Sequence, residues 1–263
     1  MSHHIVEAKD VYFQYPGQHK AVDGISFRIL HGESVGIIGA NGAGKSTLLL
    51  LLMGVLFPDN GEISIGEVPI TKKNLGFVRQ QMGMMMQDPD DQLFMATVEQ
   101  DVAFGPRNMG LDETAVQMRV TTALAKAGVP HLAERSPQRL SGGEKRAVAL
   151  ATVLAMEPDI LILDEPTSFL DPKSRRRFIN LLQTFHHTKI ITTHDLDMTC
   201  QLCERIIIVK GGKIMADGDA ATLLTDEELL DSCGLEIPLS LQDRPIFRSR
   251  LRPENQAEKP IDG

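Results

Sequence analysis

Gly39-Ala40-Asn41-Gly42-Ala43-Gly44-Lys45-Ser46 is the stretch on which the reading of this chain turns. It fits G-x-x-x-x-G-K-[ST], with the apolar run Val35-Gly36-Ile37-Ile38 before it and a leucine-rich run of helical length after it. That strand–loop–helix context is the one in which the pattern holds phosphates. Glycines let the backbone curl so that successive N–H groups face phosphate oxygens, and the following helix adds its positive end. Lys45 supplies a full charge to the β- and γ-phosphates, and the Ser46 hydroxyl is suited to Mg²⁺. Gly39, Asn41, Gly42, Ala43, Gly44, Lys45, Ser46 and Thr47 are therefore the candidate nucleotide-binding residues.

Downstream, Ile160-Leu161-Ile162-Leu163 ends in Asp164-Glu165. A buried strand would deliver Asp164 at its C-terminal edge to hold Mg²⁺. Glu165 would then act as general base on the attacking water, an effect of about 10²–10⁴ in rate. Lys189 to Thr193 and Arg205 to Lys210 are further apolar runs of strand length, suited to strands buried on both faces. Gly211-Gly212 marks a hairpin turn into Ile214-Met215, so part of the sheet is expected to be antiparallel. Between Asp88 and Pro158 the pattern becomes helical. Thr97 to Gln100 has capping-box spacing, Pro106 is expected to stop that helix, Asp112 to Ala127 carries helical apolar spacing with Gly128 as cap, and Gly142 to Met156 forms another helix. The expected organisation is a nucleotide-binding core over residues 1–87 and 159–220, a helical subdomain over 88–158, and a C-terminal helical segment and tail over 221–263, with Arg244 to Gly263 trailing on the surface.

Composition narrows the classes. The 263 residues carry 27 Lys+Arg against 35 Asp+Glu, a net charge of −8 and a pI near 5.5, which disfavours a nucleic-acid binder held by phosphate contacts. Hydrophobic residues at 42% and charged residues at 24% support a sizeable core. The longest apolar run, Leu48 to Phe57, is far short of the roughly 20 residues of a membrane helix, and the N-terminus lacks a secretory pattern. Three cysteines do not make a disulfide framework. The expectation is a soluble protein of a reducing compartment that reaches a membrane only through another chain.

Leu140-Ser141-Gly142-Gly143-Glu144 then decides the family. With this segment between the two nucleotide motifs, the chain resembles the ATP-binding cassette (ABC) ATPases over most of residues 5 to 220. The resemblance implies an α/β fold of the P-loop NTPase (RecA-like) kind, with a mixed sheet core, an antiparallel β part and an inserted helical subdomain. It implies ATP and Mg²⁺ as ligands. By the same analogy Tyr15 stacks on adenine, Gln87 is the Q-loop glutamine that joins Ser46 and Asp164 at Mg²⁺, Asp171 is the D-loop aspartate, and His194 is the switch histidine. Ser141, opening a helix with free N–H groups, is a second anion site. The family implies that Ser141, Gly142, Gly143 and Asp171 contact the nucleotide of a partner cassette, two chains lying head to tail. Glu144 stands where Gln is commoner and is expected to leave the phosphate contacts intact. Phe169 stands at a D-loop position that usually holds a small residue.

Asp88-Pro89-Asp90-Asp91-Gln92, with Leu93-Phe94 beyond it, resembles the Q-helix segment of energy-coupling factor (ECF) ATPases, which docks on a transmembrane coupling subunit. The stretches Phe94 to Leu111 and His187 to Asp197 are most similar to the cobalt/nickel branch. That resemblance implies a homodimer on the cytoplasmic face of the cell membrane, working with a coupling subunit and a substrate-binding membrane subunit, without direct membrane insertion and without nucleic acid. An ECF importer for a vitamin or other solute, and a soluble ABC ATPase in cofactor assembly, stay open. Cys200-Gln201-Leu202-Cys203 lacks a second pair for zinc, Met82 and Met84 to Met86 suit a buried strand, Arg175 to Arg177 are expected on the exposed side of a helix, and neither His3-His4 nor His186-His187 has ligand partners in view.

Overall fold

Strand pairing over two sheets organises the chain. The computed structural model describes residues 4–17 and 19–242, so the expected tail from Arg244 lies outside the described residues. β1 (His4–Gln14) and β2 (Lys20–Leu30) pair antiparallel, and β4 (Asn60–Ile65) and β5 (Val68–Pro69) extend them into a four-stranded sheet of order β2-β1-β4-β5. The second sheet is built on β3 (Ser34–Ile38), β6 (Met82–Met85), β7 (Ile160–Asp164), β8 (Thr188–Thr193), β9 (Arg205–Lys210) and β10 (Lys213–Asp219). Its order is β10-β9-β3-β8-β7-β6; β9 through β6 run parallel, and β10 returns antiparallel through the Gly211-Gly212 turn.

Each central strand feeds two cores, because successive side chains leave opposite faces. Ile160, Ile162, Ile207 and Val209 pack with Val6, Ile25 and Ile29 of the antiparallel sheet, and α1 (Lys45–Leu52) fills the space between through Leu48, Leu49, Leu51 and Leu52. Leu161, Leu163, Ile206 and Ile208 face the other way. Packed on that side are α3 (Val98–Asn108), α4 (Glu113–Lys126), α5 (Gly142–Leu154), α6 (Pro172–Gln183) and α7 (Leu196–Leu202). Burial on both faces is why these strands lack a polar alternation. The short helices α2 (Leu75–Gln81), α8 (Ala220–Leu223) and α9 (Glu227–Ser232) complete the described chain.

The helical expectations hold at the starts. Thr97 accepts from the Gln100 N–H, Asp112 from the Ala115 N–H, and Ser141 caps α5 in a full capping box with Glu144. The expected stop at Pro106 does not occur: α3 runs through it to Asn108. Proline forfeits only its own N–H bond, and so near the C-terminal end the remaining turn is held by its neighbours. Met82 to Met85 form the expected strand, whereas Met86 lies past its end and is partly exposed.

Candidate nucleotide site

The C-terminal ends of β3, β8 and β7, together with the chain leaving β6, meet at one edge of the parallel sheet, where open α/β sheets bind ligands. Pairing aligns Ile38 with Thr193 and Asp164 with Thr192, so β8 brings His194 between the phosphate loop and the carboxylates. A cavity of about 1040 Å³ opens there. Tyr15, Asn41 to Thr47, Gln87, Glu165 and His194 line it.

The loop geometry explains its glycines. A Cβ on Gly39 would lie 2.2 Å from the Val209 carbonyl oxygen, and one on Gly44, at φ +106°, would lie 2.2 Å from that of Ala21. Lys45 folds back to donate to the carbonyls of Gly39 (2.7 Å) and Ala40 (3.1 Å). Burial pushes its ammonium below the usual lysine range, against the pull of Glu165 and Asp164. Tyr15 rests edge-on to Phe13, and its hydroxyl shares a hydrogen bond with that of Thr47 at 3.5 Å.

Thr192 Oγ1 donates to Asp164 at 2.6 Å, and the Ser46 hydroxyl lies near enough to the same carboxylate to favour its charged form. Burial raises the Asp164 carboxyl above the usual carboxylate range, with the charge of Glu165 adding to the rise, while the Thr192 bond, Lys45 and the Ser46 hydroxyl act against it. Adjacent strand residues point to opposite faces, yet both carboxylates serve this edge. Glu165 manages it by leaving the strand at φ +45°. Its Oε2 meets His194 Nδ1 at 2.8 Å and accepts from Thr193 Oγ1 (3.2 Å) and Ser168 Oγ (3.4 Å).

Against this geometry, the ABC transporter family pattern matches residues 22–168, more than half of the chain. The chain belongs to the ABC transporter family. The Geobacter sulfurreducens protein GSU1281, named for an ABC transporter ATP-binding role, is 56% identical over 246 residues, covering 94% of this chain and 99% of its own. The energy-coupling factor transporter ATP-binding protein EcfA1 of Methanospirillum hungatei is 45% identical over 240 residues, 90% of this chain and 87% of that one. The solved cbiO1 of Clostridium perfringens, part of the ABC transporter complex cbiONQ, superposes with a TM-score of 0.78 at 37% identity, over 87% of this chain and 94% of that one. This ABC family member thus has the ABC ATPase fold and is an ATP-hydrolysing, ATP-binding subunit of an ABC transporter.

Other expected residues lie apart from the cavity. Ser141 and Gly143 line a different hollow, of about 580 Å³, between α5 and α6. Asp171 caps α6, accepting from the Lys173 and Ser174 N–H groups, and does not line the phosphate cavity. Glu144 engages Ser141 directly: the Ser141 N–H and hydroxyl donate to its carboxylate at 2.8 and 2.7 Å. The Ser141 hydroxyl proton is therefore committed within the chain.

The acidic segment turns partly inward. Asp88 caps a single turn over Pro89–Asp91, and Asp90 pairs with Lys145 of α5 at 2.6 Å. Gln92 donates to the Ala149 carbonyl (2.9 Å) and Thr152 Oγ1 (2.6 Å) and accepts from the Met86 N–H (3.1 Å). This pins the chain leaving β6 to α5. Asp91 remains exposed, with Phe94 and Phe104 stacked edge-to-face at 5.0 Å, also on the surface.

Arg175 is not the solvated arginine expected from its triple run, because Asp195 takes it in two bonds of 2.6 Å. Phe169, the bulky residue at the D-loop position, lines the cavity, as do His19, Lys20 and Ser168, whose one signal in the sequence was nearness to Tyr15 or Glu165. The Cys203 thiol, buried beside Ser34, is pushed up to about 12 and is unsuited to metal or redox chemistry at neutral pH.

Proposed function

We propose that this chain is the ATPase subunit of an ECF-type importer, working as two identical copies at the cytoplasmic face of the membrane, with cobalt or nickel ions as the cargo. The observation that carries the reading is the division of anion sites: the phosphate loop opens into one cavity, while Ser141 caps a helix beyond it. A second copy laid head to tail would bring its Ser141, Gly142, Gly143 and Asp171 to the open side of the bound ATP, so that closure depends on the γ-phosphate. Similarity to EcfA1 and cbiO1 supports the coupling-factor branch.

In this reading Lys45 and the loop N–H groups hold the β- and γ-phosphates, Tyr15 stacks on the base, and Glu165 accepts the proton of the attacking water while His194 fixes its carboxylate. The donors near the phosphates are hard oxygens, Ser46 Oγ and the Asp164 carboxylate, joined by the Gln87 amide; this set fits Mg²⁺. Mg²⁺, when bound, neutralises charge building on the phosphate oxygens. Gln87 reports the γ-phosphate to the segment Asp88 to Gln92, which Gln92 ties to α5, so the two swing together. Exposed Asp91 and the Phe94–Phe104 pair supply charge and apolar area for a coupling subunit. Among the described residues no helix is long and apolar enough to cross a membrane.

The test is affinity purification of the full chain from its native membranes. The expected result is co-purification with integral membrane proteins, weakened by Asp91→Lys, and ATP-dependent cobalt or nickel uptake by the complex. Recovery with a soluble scaffold alone would replace this reading with cofactor assembly, and uptake of an organic solute would replace the cargo.

A further inference from the structure

Arg146, on α5 five residues past Ser141, is 2% exposed, and no carboxylate forms an ion pair with it among the described residues. Its Nη2 donates to the Ser168 carbonyl at 2.9 Å, and its buried Nη1 has no hydrogen-bond partner among the described residues. Burial alone depresses this guanidinium; Asp88, Glu165 and Asp164 pull against that through space. A buried, unpaired cation is a costly thing to keep, and an apolar side chain of similar volume would serve a core better. Its single anchored bond therefore indicates its use.

That bond falls at a revealing place. The loop after β7 holds Glu165 at φ +45° and Phe169 at φ +63°, two left-handed conformations without glycine. Such conformations persist only when their surroundings hold them. Ser168 lies between them. Its N–H donates to the Glu165 carbonyl (3.1 Å) and its hydroxyl to Glu165 Oε2 (3.4 Å), the same oxygen that meets His194. Arg146 grips the carbonyl of this one residue from α5. Of the carboxylates whose charge reaches the guanidinium, the strongest is Asp88, directly after Gln87. One cation thus feels the segment that leaves β6 and braces the segment that leaves β7.

We propose that Arg146 is a positioning residue for hydrolysis: by bracing the Ser168 carbonyl it keeps the Glu165 carboxylate oriented toward His194 and the attacking water. The proposal rests on Glu165 being the general base. It makes α5 more than the carrier of Ser141, because the same helix sets the geometry of its own chain's base.

The experiment uses the purified full chain, comparing wild type with Arg146→Met, Arg146→Lys and Glu165→Gln. Measured are kcat and KM for ATP, equilibrium affinity for a fluorescent ATP analogue, and Tm. Arg146→Met is expected to lower kcat by about 10- to 100-fold, the scale of an ångström-level misplacement. Affinity should stay within about twofold and Tm should hold or rise, since an unpaired buried charge has been removed. Arg146→Lys, which keeps a donor for Ser168, should recover much of the rate. A wild-type kcat in Arg146→Met overturns the proposal. So does a joint fall of kcat, affinity and Tm without rescue by lysine, which would mark a merely structural residue. Should Arg146→Met fail to fold, Arg146→Gln decides, because its side chain ends two bonds short of the guanidinium nitrogen that reaches the Ser168 carbonyl: a loss confined to kcat supports the brace, and an unchanged kcat refutes it. Full hydrolysis by Glu165→Gln would remove the base reading itself, whereas an inactive Glu165→Gln beside an unaffected Arg146→Met refutes the Arg146 proposal alone.

Discussion

Three glycines in one loop separate two physical reasons for glycine. Gly39 is required by space alone: its backbone is ordinary, but an added Cβ would approach the Val209 carbonyl oxygen to 2.2 Å. Gly42 is required by conformation alone, having φ +78° and nothing within 4 Å of an added Cβ. Gly44 combines both, at φ +106° and 2.2 Å from the Ala21 oxygen. Substitution by alanine therefore has graded consequences. At Gly42 the left-handed backbone costs about 1–2 kcal/mol, at most about a 5- to 30-fold loss of ATP affinity. At Gly39 the obstacle is backbone of β9 inside the sheet, so the loop itself must retreat by about 1 Å to restore an ordinary contact. Its N–H groups then stand too far from the phosphate oxygens for good hydrogen bonds. Losing two bonds to a charged group, at about 1.5–3 kcal/mol each, predicts at least a 100-fold loss. Gly44→Ala should be the most severe. The assay is titration of each variant with a fluorescent ATP analogue, with far-UV circular dichroism to show that the fold survives. Equal losses at Gly39 and Gly42, or near-normal binding by Gly39→Ala, would refute the steric argument.

Glu165→Gln should slow hydrolysis by about 10²–10⁴ while retaining nucleotide, and light scattering with Mg·ATP should then find a dimer; a persistent monomer would count against the head-to-tail reading. For Asp164, burial lifts the native carboxyl above its unfolded value. Its contribution to stability is then full below an unfolded pKa of about 3.9 and is lost as pH rises through the native value. Asp164→Asn should accordingly raise the Tm of nucleotide-free protein at pH 7, by a margin that shrinks toward pH 4, while abolishing hydrolysis. A lower Tm at pH 7 would contradict this. Thiol titration of native protein at pH 8 should find one accessible group, Cys200, because Cys203 and Cys233 are buried; rapid labelling of all three would show that the core opens.

The parallel sheet was legible because its strands are short apolar runs bounded by motif residues, and β3, β7, β8 and β9 fall where those runs lie. The phosphate loop, Asp164, Glu165, Gln87, Tyr15 and His194 were legible by spacing and resemblance, and one cavity brings all but Asp164 and the first two loop residues, Gly39 and Ala40, to its wall. The antiparallel sheet was not read strand by strand. Its alternation is broken by register shifts and by Asp10 at φ +45°, and β1 pairs with β4 some fifty residues away. The inward turn of Asp90 and Gln92 was hidden for a similar reason. Their partners Lys145, Ala149 and Thr152 lie on α5, and an acidic turn carries no sign of what faces it. Arg175 looked like ordinary surface charge on a helix and Arg146 carried no signal of its own, since a sequence does not reveal which charged residue a tertiary contact will enclose.

The strand order β9-β3-β8-β7-β6 has a consequence for biogenesis. The loop proposed to hold phosphate is complete by residue 47, yet the other walls of its cavity come from residues 87, 165 and 194, and β8 must insert between two earlier strands before they meet. Pairings between such distant segments form late and slowly. A chain emerging from the ribosome would thus display its phosphate motif long before it could retain fuel, so that nucleotide capture certifies a finished molecule.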